Sequence, residues 1–412
     1  MTKPPCAPSQ VRNPQSQNIH LRAPQLIVGY TAGYAKTYAK AESLLSSIIA
    51  KFSTEPDVMT TPKSRWTAAL LVGALVNSSA AYNSSIFQTI QPAFSVLLGS
   101  NPTIVALATA PDGQQLYHEG GAYHPPTGAF WCVGDKTANS TYRPIWRVTQ
   151  TDSPATVVIE NITHTIPIPI GSYRNVPGSP LGDVILFAAQ GTLDKTPPAG
   201  IYAMNPYPPF NTSVVIGSYG TNVFNSPDDV TVSPDGVIWF TDPPYGYGAG
   251  SRPHPTLPNQ VYAFVPRTKD LRVATDVLVR PNGVKASPDG TTIYIGDTGA
   301  QLFGFAPLDP QGARTIYAFD RVNGFLTNQR VFAMPLAYAS AADGIKVDSY
   351  GNVWAGVTGQ GVSVWDKSGM LLGVIHIPGN IGNLGFGRPG ELVVLGGDTL
   401  LKISVSETVV GA

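Results

Sequence analysis

The chain has 412 residues, of which 26 are Lys or Arg and 26 are Asp or Glu, so its formal net charge is zero. This balance, with no block of basic residues, argues against nucleic acid as a partner, because phosphate binding needs clustered cations. Gly (42) and Pro (38) together make up about a fifth of the chain, and only 13% of its residues are charged. The composition favours a compact fold of many short strands and turns over a helical one.

The N-terminal region predicts processing. From Met59 the chain reads "MTTPKSRWTAALLVGALVNSSAAYNSS", in which two basic residues precede an apolar run over 66–76, and small residues follow up to Ala81. This is the three-part pattern of a secretory signal peptide, and its apolar run is too short to span a bilayer. We expect an upstream extension or disordered arm over 1–58, a signal peptide over 59–81, and a secreted protein without a membrane segment after cleavage. A genuine N-terminal arm with a buried apolar helix is the alternative.

Sequons and cysteines agree with a secreted protein. Four Asn-X-Ser/Thr sequons follow the predicted cleavage point, at Asn83, Asn139, Asn161 and Asn211. They predict a glycoprotein. Cleavage would remove Cys6 and leave Cys132 alone, so no disulfide is expected and the chain must rely on its own core.

The remainder of the chain repeats one unit, in which a polar or acidic residue opens an apolar strand that a turn connects to a second apolar strand. Three clear copies are "DDVTVSPDGVIWFTD", "NGVKASPDGTTIYIGD" and "DGIKVDSYGNVWAGV". With two weaker copies, the first residues of the units, here called heads, are Glu119, Asp228, Asn282, Asp343 and Asn383.

The spacing of the heads predicts the architecture. The gap from Glu119 to Asp228 is about twice the next one, which leaves room for a degenerate unit, predicted over 175–191. Further strand-like runs follow each head, so a unit holds about four strands. Six such units predict an all-β fold, a six-bladed β-propeller with four-stranded blades, over residues 85–412.

The heads are also where chemistry is expected. In a propeller the first strand of each blade lines the central channel, so equivalent heads should converge at one mouth. Oxygen-bearing side chains crowded together would repel each other without a cation, and carboxylate and amide oxygens suit a hard ion such as Ca²⁺. Zinc is less favoured because no His/Cys cluster accompanies them. Asp or Asn before Gly is also a turn signal, so any single head could instead be a turn residue.

Other acidic residues of the units are interpreted as structural. Asp235, Asp289 and Asp348 belong to the turns that follow the first strands. Asp242 and Asp297 end second strands and are expected to brace loops near the channel, with a direct catalytic role as the alternative.

The repeated motifs resemble those of a known family. "SPDDVTVSPDGVIWFTDPPYG", "RPNGVKASPDGTTIYIGDTG" and "ADGIKVDSYGNVWAGVTGQGVSVWDKSGMLLGVI" are similar to the gluconolactonase, senescence-marker-protein and luciferin-regenerating-enzyme family of six-bladed propellers, over about 117–403. "HEGGAYHPPTG" and "YAMNPYPPFNTS" look more specifically like the secreted fungal lactonohydrolases, which open aldonate and pantoyl lactones.

The resemblance implies a divalent metal, usually calcium, held by Glu119, Asn282 and Asp343. It also implies an Asn near the substrate, able to touch the metal directly or through water, where this chain has Asp228. Asp228, His118 and Asn383 are the expected substrate-binding residues. Neighbouring residues of a strand point to opposite faces, so His118 could instead pack inside its blade.

The implied reaction is hydrolysis of a small aldonate- or pantoyl-type lactone by water that attacks a metal-polarised carbonyl. The expected catalytic residues are Asp343, as the base, and Asp228, as a second candidate base or a fourth ligand. There is no G-x-S-x-G elbow to support an acyl-serine mechanism. Two readings remain beside this one: a secondary-metabolism enzyme that uses the same pocket for isomerisation, condensation or phosphotriester cleavage, and a metal-stabilised binding propeller without turnover.

Overall fold

The computed structural model describes residues 86–135, 142–152, 155–301, 309–337 and 340–412. Six antiparallel sheets of four or more strands form a six-bladed β-propeller, which confirms the predicted fold class. The predicted N-terminal extension and signal peptide, and the sequons at Asn83 and Asn139, lie outside the described residues. Asn161 and Asn211 are exposed, and their glycosylation stays a prediction.

The first half of the described chain holds blades 1 and 2. It begins with strand β1 (Phe87–Thr89), helix α1 (Pro92–Leu98), strand β2 (Thr103–Thr109) and a 3₁₀ turn (Pro111–Gly113). Blade 1 consists of β3 (Glu119–His124), a 3₁₀ turn (Pro125–Thr127), β4 (Ala129–Val133), β5 (Ile145–Asp152) and β6 (Ala155–Ile162). Blade 2 and a following hairpin consist of β7 (Pro169–Arg174), β8 (Ile185–Ala189), β9 (Gly200–Met204), β10 (Thr212–Ile216), β11 (Ser218–Tyr219) and β12 (Asn222–Val223).

The second half holds the other four blades. Blade 3 consists of β13 (Val230–Val232), β14 (Ile238–Asp242), the short helix α2 (Tyr245–Gly248), β15 (Gln260–Val265) and β16 (Asp270–Thr275). Blade 4 consists of β17 (Pro281–Ala286), β18 (Thr292–Asp297), β19 (Ile316–Val322) and β20 (Phe325–Ala333). Blade 5 consists of β21 (Ala342–Val347), β22 (Val353–Val357), β23 (Gly361–Trp365) and β24 (Leu371–His376). Blade 6 consists of β25 (Asn383–Phe386), β26 (Glu391–Leu395) and β27 (Thr399–Ser404).

Strands from the start of the described chain complete the last two blades. β2 pairs antiparallel with β27, with Ile104 opposite Ile403, and becomes the outermost strand of blade 6. β1 pairs with β24 and adds a fifth strand to blade 5. Backbone hydrogen bonds between segments about 300 residues apart therefore close the ring, and the repeat pattern contains no signal for that pairing.

The core lies between the blades. Six clusters of buried apolar side chains each join two neighbouring blades, one cluster per interface around the ring. Trp131, Trp239 and Trp354 on the second strands are fully buried in these clusters. The second strands are largely apolar because both faces of each sheet pack against a neighbouring blade. Cys132 is fully buried in the cluster between blades 6 and 1, where burial raises the pKa of its thiol.

The register corrects two features of the predicted repeat. The degenerate second unit begins with β7 at Pro169, so its inner strand precedes Asn175, which instead donates from Nδ2 to the carbonyl of Gly182 at 2.7 Å in a turn. Pairing of Pro169 with Ala189 and of Ser172 with Phe187 places Ile170, an apolar residue, at the head position. Blade 2 therefore contributes no polar head.

Asn383 is also displaced from the predicted series. The Gly171 amide donates to the carbonyl of Asp228, and the Gly344 amide donates in the same way to Gly382, so Gly382 occupies the head position of blade 6. Asn383 is thus the equivalent of Asp229, one residue deeper. Both side chains accept a hydrogen bond at 2.9 Å from the amide of the next residue.

The structural roles predicted for the turn acids are confirmed. Asp289 accepts from the Ser287 hydroxyl at 2.6 Å and from the Thr291 amide at 3.0 Å. Asp348 accepts from the Trp354 indole at 2.9 Å and thereby ties its turn to the core. In the described part of the chain, no helix has the length and apolar character needed to cross a bilayer.

Candidate active site

Four blades bring predicted heads to one mouth of the channel. In blades 4 and 5, a bulge follows the first paired residue, so Asn282 and Asp343 take the same place. Asp228 stands at that level in blade 3, and Glu119 opens β3 in blade 1. Glu119, Asp228 and Asn282 are buried, whereas Asp343 is partly exposed. The structure thus gathers three acids and one amide from four blades.

The acids strongly affect one another. Burial raises the pKa of Asp343 well above its ordinary value, and the charges of Glu119 and Asp228 raise it further. Burial, Glu119 and Asp229 likewise raise the pKa of Asp228. Because proximity to like charges disfavours ionisation, these acids bind protons tightly unless a cation replaces the protons.

Two polar residues on the side of Asp228 partly offset this repulsion. The charge of Arg143 and a hydrogen bond from Gln190 both lower the pKa of Asp228. Arg143 is itself buried and its Nη2 pairs with Asp135 at 2.8 Å. The sequence identifies neither residue as part of the site, because Arg143 lies outside the repeated units and Gln190 lies at the end of the degenerate unit, far from a predicted head.

A hydrogen-bond chain orients the amide of Asn282. Its Nδ2 donates to the Tyr245 hydroxyl at 3.1 Å and the side chain also hydrogen-bonds Asp343. The Tyr245 hydroxyl bonds the Thr298 hydroxyl, which donates to the carbonyl of Arg280 at 3.1 Å. Both protons of the amide are therefore engaged, which leaves Oδ1 as the atom of this side chain that could coordinate a cation. Burial, Asp228 and Asp343 raise the pKa of Tyr245, which keeps its hydroxyl protonated.

Tyr245 is a site residue that the sequence interpretation missed. It is the Tyr of the loop motif "DPPYG", which starts at the end of β14, and it does not lie on an inner strand. The available signal was Asp242, which is expected near the channel and directly precedes the loop that carries Tyr245.

The bracing role predicted for the acids that end second strands is confirmed. Asp242 accepts from the amides of Asn225 at 2.9 Å and Ser226 at 2.7 Å. Asp297 accepts in the same way from the amides of Val279 and Arg280. Each carboxylate fixes the loop that leads into the inner strand of its own blade, and so fixes the head that follows.

Glu119 is held from two sides. Its Oε2 accepts a hydrogen bond from Asn383 Nδ2 at 3.2 Å, and its Oε1 lies 3.7 Å from His118 Nε2. His118 also packs against Gly382, where any Cβ would lie 2.8 Å from the imidazole ring. His118 and Asn383, two of the three residues expected at the substrate, therefore contact Glu119, and their role toward a substrate stays a prediction.

The donor set fits the hard cation that the resemblance implies. In the described residues no three His, Cys, Asp or Glu side chains form a compact metal cluster on their own. Glu119 and Asp343 carboxylates with the Asn282 amide nevertheless offer only oxygen donors, and Ca²⁺ completes such a shell with water. The buried, mutually repelling acids supply the charge that a divalent cation would neutralise.

The chain matches the model of a known protein family. The SMP-30/Gluconolactonase/LRE-like region model matches residues 119–394, which is more than half of the chain. The chain therefore belongs to this family. The matched range begins at Glu119 and contains every predicted head.

Relatives of this gluconolactonase-like chain include two curated proteins of modest similarity. Lactonohydrolase oryL of Aspergillus oryzae is 32% identical over 203 residues, which cover 45% of this chain and only 45% of that protein. The gluconolactonase of Zymomonas mobilis is 30% identical over 280 residues, or 65% of this chain and 72% of that protein. Among solved structures, a Xanthomonas campestris gluconolactonase superposes with a TM-score of 0.62 at 24% identity, covering 77% of this chain and 94% of that one. The last similarity supports the fold.

Proposed function

We propose that this gluconolactonase-like chain is a calcium-dependent lactone hydrolase that opens a small lactone of the aldonate or pantoyl type. The observation that carries the proposal is the pair Asp228 and Asp343, two acids with raised pKa values that lie with Glu119 and Asn282 at one mouth of the channel. Perturbed carboxylates in a concave site are typical of catalytic centres. The lactonohydrolase and gluconolactonase relatives point to the same reaction class.

In this proposal Glu119, Asn282 and Asp343 hold the cation. A bound Ca²⁺ would polarise the lactone carbonyl and stabilise the charge that develops on its oxygen. The chain then has to position a water molecule, accept one proton from it and return a proton to the departing ring oxygen. The ester bond of the ring breaks and a hydroxy acid forms.

Asp343 is the residue to which we assign the proton transfer. Among the clustered acids it is the more exposed one, so water can reach it from the mouth. A cation beside a carboxylate weakens it as a base, because the cation stabilises the ionised form. The charges of Glu119 and Asp228 act in the opposite direction and raise the pKa of Asp343.

Asp228 therefore has a tuning role in the proposal. Its additional negative charge attracts the cation and also preserves the basicity of Asp343. The hydrogen bond from Gln190 and the charge of Arg143 keep Asp228 from binding a proton too tightly. His118 and Asn383, which contact Glu119, are the remaining residues that we place near the substrate.

The test measures bound metal first and then turnover. Purified protein is analysed for divalent cations, and a panel of five- and six-membered lactones is assayed with and without chelator. We expect stoichiometric calcium, ring opening of at least one small lactone, and loss of turnover after chelation that added Ca²⁺ restores.

The other outcomes separate the alternatives. Ring opening that persists after complete removal of metal would overturn the metal mechanism. Stoichiometric calcium without turnover of any lactone would favour a binding propeller, and turnover restricted to a different reaction class would favour an enzyme of secondary metabolism.

We also infer that the protein is secreted, with an extension or arm over 1–58, a signal peptide over 59–81 and a catalytic propeller from 85 to 412. Support comes from the charged, apolar and small-residue pattern after Met59 and from the exposed sequons at Asn161 and Asn211. N-terminal sequencing of material from the culture medium should begin near residue 82. Material that begins at Met1 or Thr2 would refute the processing.

A further inference from the structure

A buried lysine lies directly beneath the acidic mouth. Lys346 follows Asp343 by three residues on β21, and its side chain is almost fully buried. Its ammonium group, Nζ, donates to Asn383 Oδ1 at 2.8 Å. The charged groups that face it are Asp229, Lys285, Glu119 and Asp343. Burial of a charged residue is costly, so a specific role has to be sought in the contacts it makes.

Lys346 determines which way the Asn383 amide points. Asn383 Oδ1 accepts from Lys346 Nζ and from the Leu384 amide at 2.9 Å, so two donors meet that one oxygen. The amide nitrogen is then left to donate to Glu119 Oε2 at 3.2 Å. In the flipped orientation, the NH₂ group would face an ammonium and the carbonyl oxygen would face a carboxylate. Both contacts would be repulsive, because an ammonium has no acceptor and a carboxylate has no donor.

The backbone leaves room for this arrangement. A Cβ at Gly344 would lie 2.1 Å from Asn383 Oδ1, so only glycine permits the amide to sit between blades 5 and 6. Asn383 is itself 1% exposed, which shields both hydrogen bonds from water. Hydrogen bonds in such a low-dielectric environment are stronger than in solvent.

We propose that Lys346 is a positioning residue, which locks the Asn383 amide so that it holds the Glu119 carboxylate in place as a metal ligand. The inference rests on the proposed function in one respect, namely that Glu119 binds the cation. Residues that orient a metal ligand typically contribute 10- to 100-fold to metal affinity.

A simple charge effect predicts the opposite sign. A positive charge close to a cation site weakens binding of Ca²⁺, so removal of the ammonium would by itself raise the affinity. Loss of positioning would instead lower it. The direction of the change therefore distinguishes the two roles.

The experiment titrates the full-length chain, freed of metal, with Ca²⁺ by calorimetry. Lys346→Met and Asn383→Leu should each weaken Ca²⁺ binding by about 10- to 100-fold, whereas Lys346→Arg should retain most of the affinity. If Lys346 acts through Asn383, the double variant should bind within about twofold of Asn383→Leu alone, because interacting residues are not additive.

Lys285→Met is the matched control. Lys285 is a buried lysine at the same level of β17 in blade 4, but its Nζ donates to the Tyr173 hydroxyl at 2.6 Å and contacts no amide of the site. We expect its Ca²⁺ affinity to stay within about twofold of wild type. Melting curves in chelator establish that each variant is folded before titration.

Each remaining result is decisive. Unchanged or tighter binding by Lys346→Met, or an equal further loss when it is added to Asn383→Leu, would overturn the positioning role. Loss of Ca²⁺ binding in Glu119→Gln together with normal binding in Lys346→Met would support Glu119 as a metal ligand. It would reject only the positioning role of Lys346. A wild-type protein that binds no Ca²⁺ would overturn both.

Discussion

The same residue type behaves in opposite ways at the two ends of the inner strands. At the mouth, Asp228 and Asp343 lie among other acids, and burial followed by like charges raises their pKa values. In the turn at the other end, Asp289 is exposed, and hydrogen bonds from Ser287 and Thr291 lower its pKa. An acid whose hydrogen-bond partners are local stabilises the fold by itself, whereas a group of acids that repel one another requires another ligand.

The comparison identifies which acids serve function. Asp289 and Asp348 accept hydrogen bonds from residues within a few positions in the chain, and Asp235 accepts from Ser233 in its own turn as well as from Arg321 of the next blade. Mouth acids come from different blades, and their environment arises only when the ring closes. Variants of the two classes that carry the same Asp→Asn change should therefore behave differently.

The largest effect is expected at the mouth. Asp343→Asn retains the shape of the side chain but removes a proposed metal ligand, which is also the proposed base. Because metal catalysis contributes several kcal/mol, kcat/KM for the lactone should fall by about 10³-fold or more. Steady-state kinetics with a calorimetric Ca²⁺ titration measures both losses. Activity within tenfold of wild type would exclude Asp343 from the catalytic group.

Stabilisation by calcium should depend on pH. The pKa values of Asp228 and Asp343 are raised on folding, so above the ordinary value of about 4 the folded state holds more protons than the unfolded one. The free energy of unfolding without metal therefore falls as the pH rises, through the contribution of these two groups. If Ca²⁺ binds at these acids as proposed, it would take the place of the protons and offset the loss.

Thermal unfolding in chelator and in Ca²⁺, from pH 5 to pH 8, measures this effect. At a Ca²⁺ concentration 100-fold above Kd the gain is about 2.7 kcal/mol, and we expect it to be clearly smaller at pH 5. Other acids cancel in the difference between the two curves. An equal gain at both ends of the range would contradict a site built on these acids.

A smaller effect is expected for Asp228→Asn. Loss of this neighbouring charge should lower the pKa of Asp343, move the acidic limb of the pH–rate profile to lower pH and reduce kcat by about tenfold. A profile with an unmoved acidic limb would argue against tuning. A loss as large as that of Asp343→Asn would make Asp228 an essential ligand or base.

The smallest effect belongs to the turn. Asp289→Asn keeps an acceptor for the Ser287 hydroxyl and the Thr291 amide, so the free energy of unfolding should change by less than about 1 kcal/mol. Lactone turnover and Ca²⁺ affinity should equal those of wild type. A strong loss of activity here would remove the distinction between the two classes of acid.

Much of the site could be predicted from the repeat. Units that begin alike must present their first residues alike, so the sequence alone predicts that Asp228, Asn282 and Asp343 meet at one mouth. Asn383 was assigned to the same level in error, because a polar residue at the start of an apolar strand looks the same one position deeper. Blade 2 was placed too late because its head, Ile170, has no polar residue to mark it.

The sequence repeat does not predict the residues that hold the heads in place. Tyr245 comes from a short helix between strands. Lys346 lies within an inner strand, where nothing in the sequence distinguishes it as part of the site. Their partners, Asn282 and Asn383, lie on neighbouring blades. Hydrogen bonds between distant segments depend on distances that no periodicity encodes.

The sequence by itself determined the propeller, the number of blades and the acids at the mouth. The alternation of apolar and polar residues, the turn residues and the repetition of the unit are local properties that can be recognised in the sequence. Only the tertiary structure decided how the ring closes through β2 and β27, which polar residue stands at which depth, and how Lys346 orients Asn383 toward Glu119. Closure of the ring is what brings the first and last blades into contact. The electrostatics of the mouth therefore depend on residues more than 200 positions apart, such as Glu119 and Asp343.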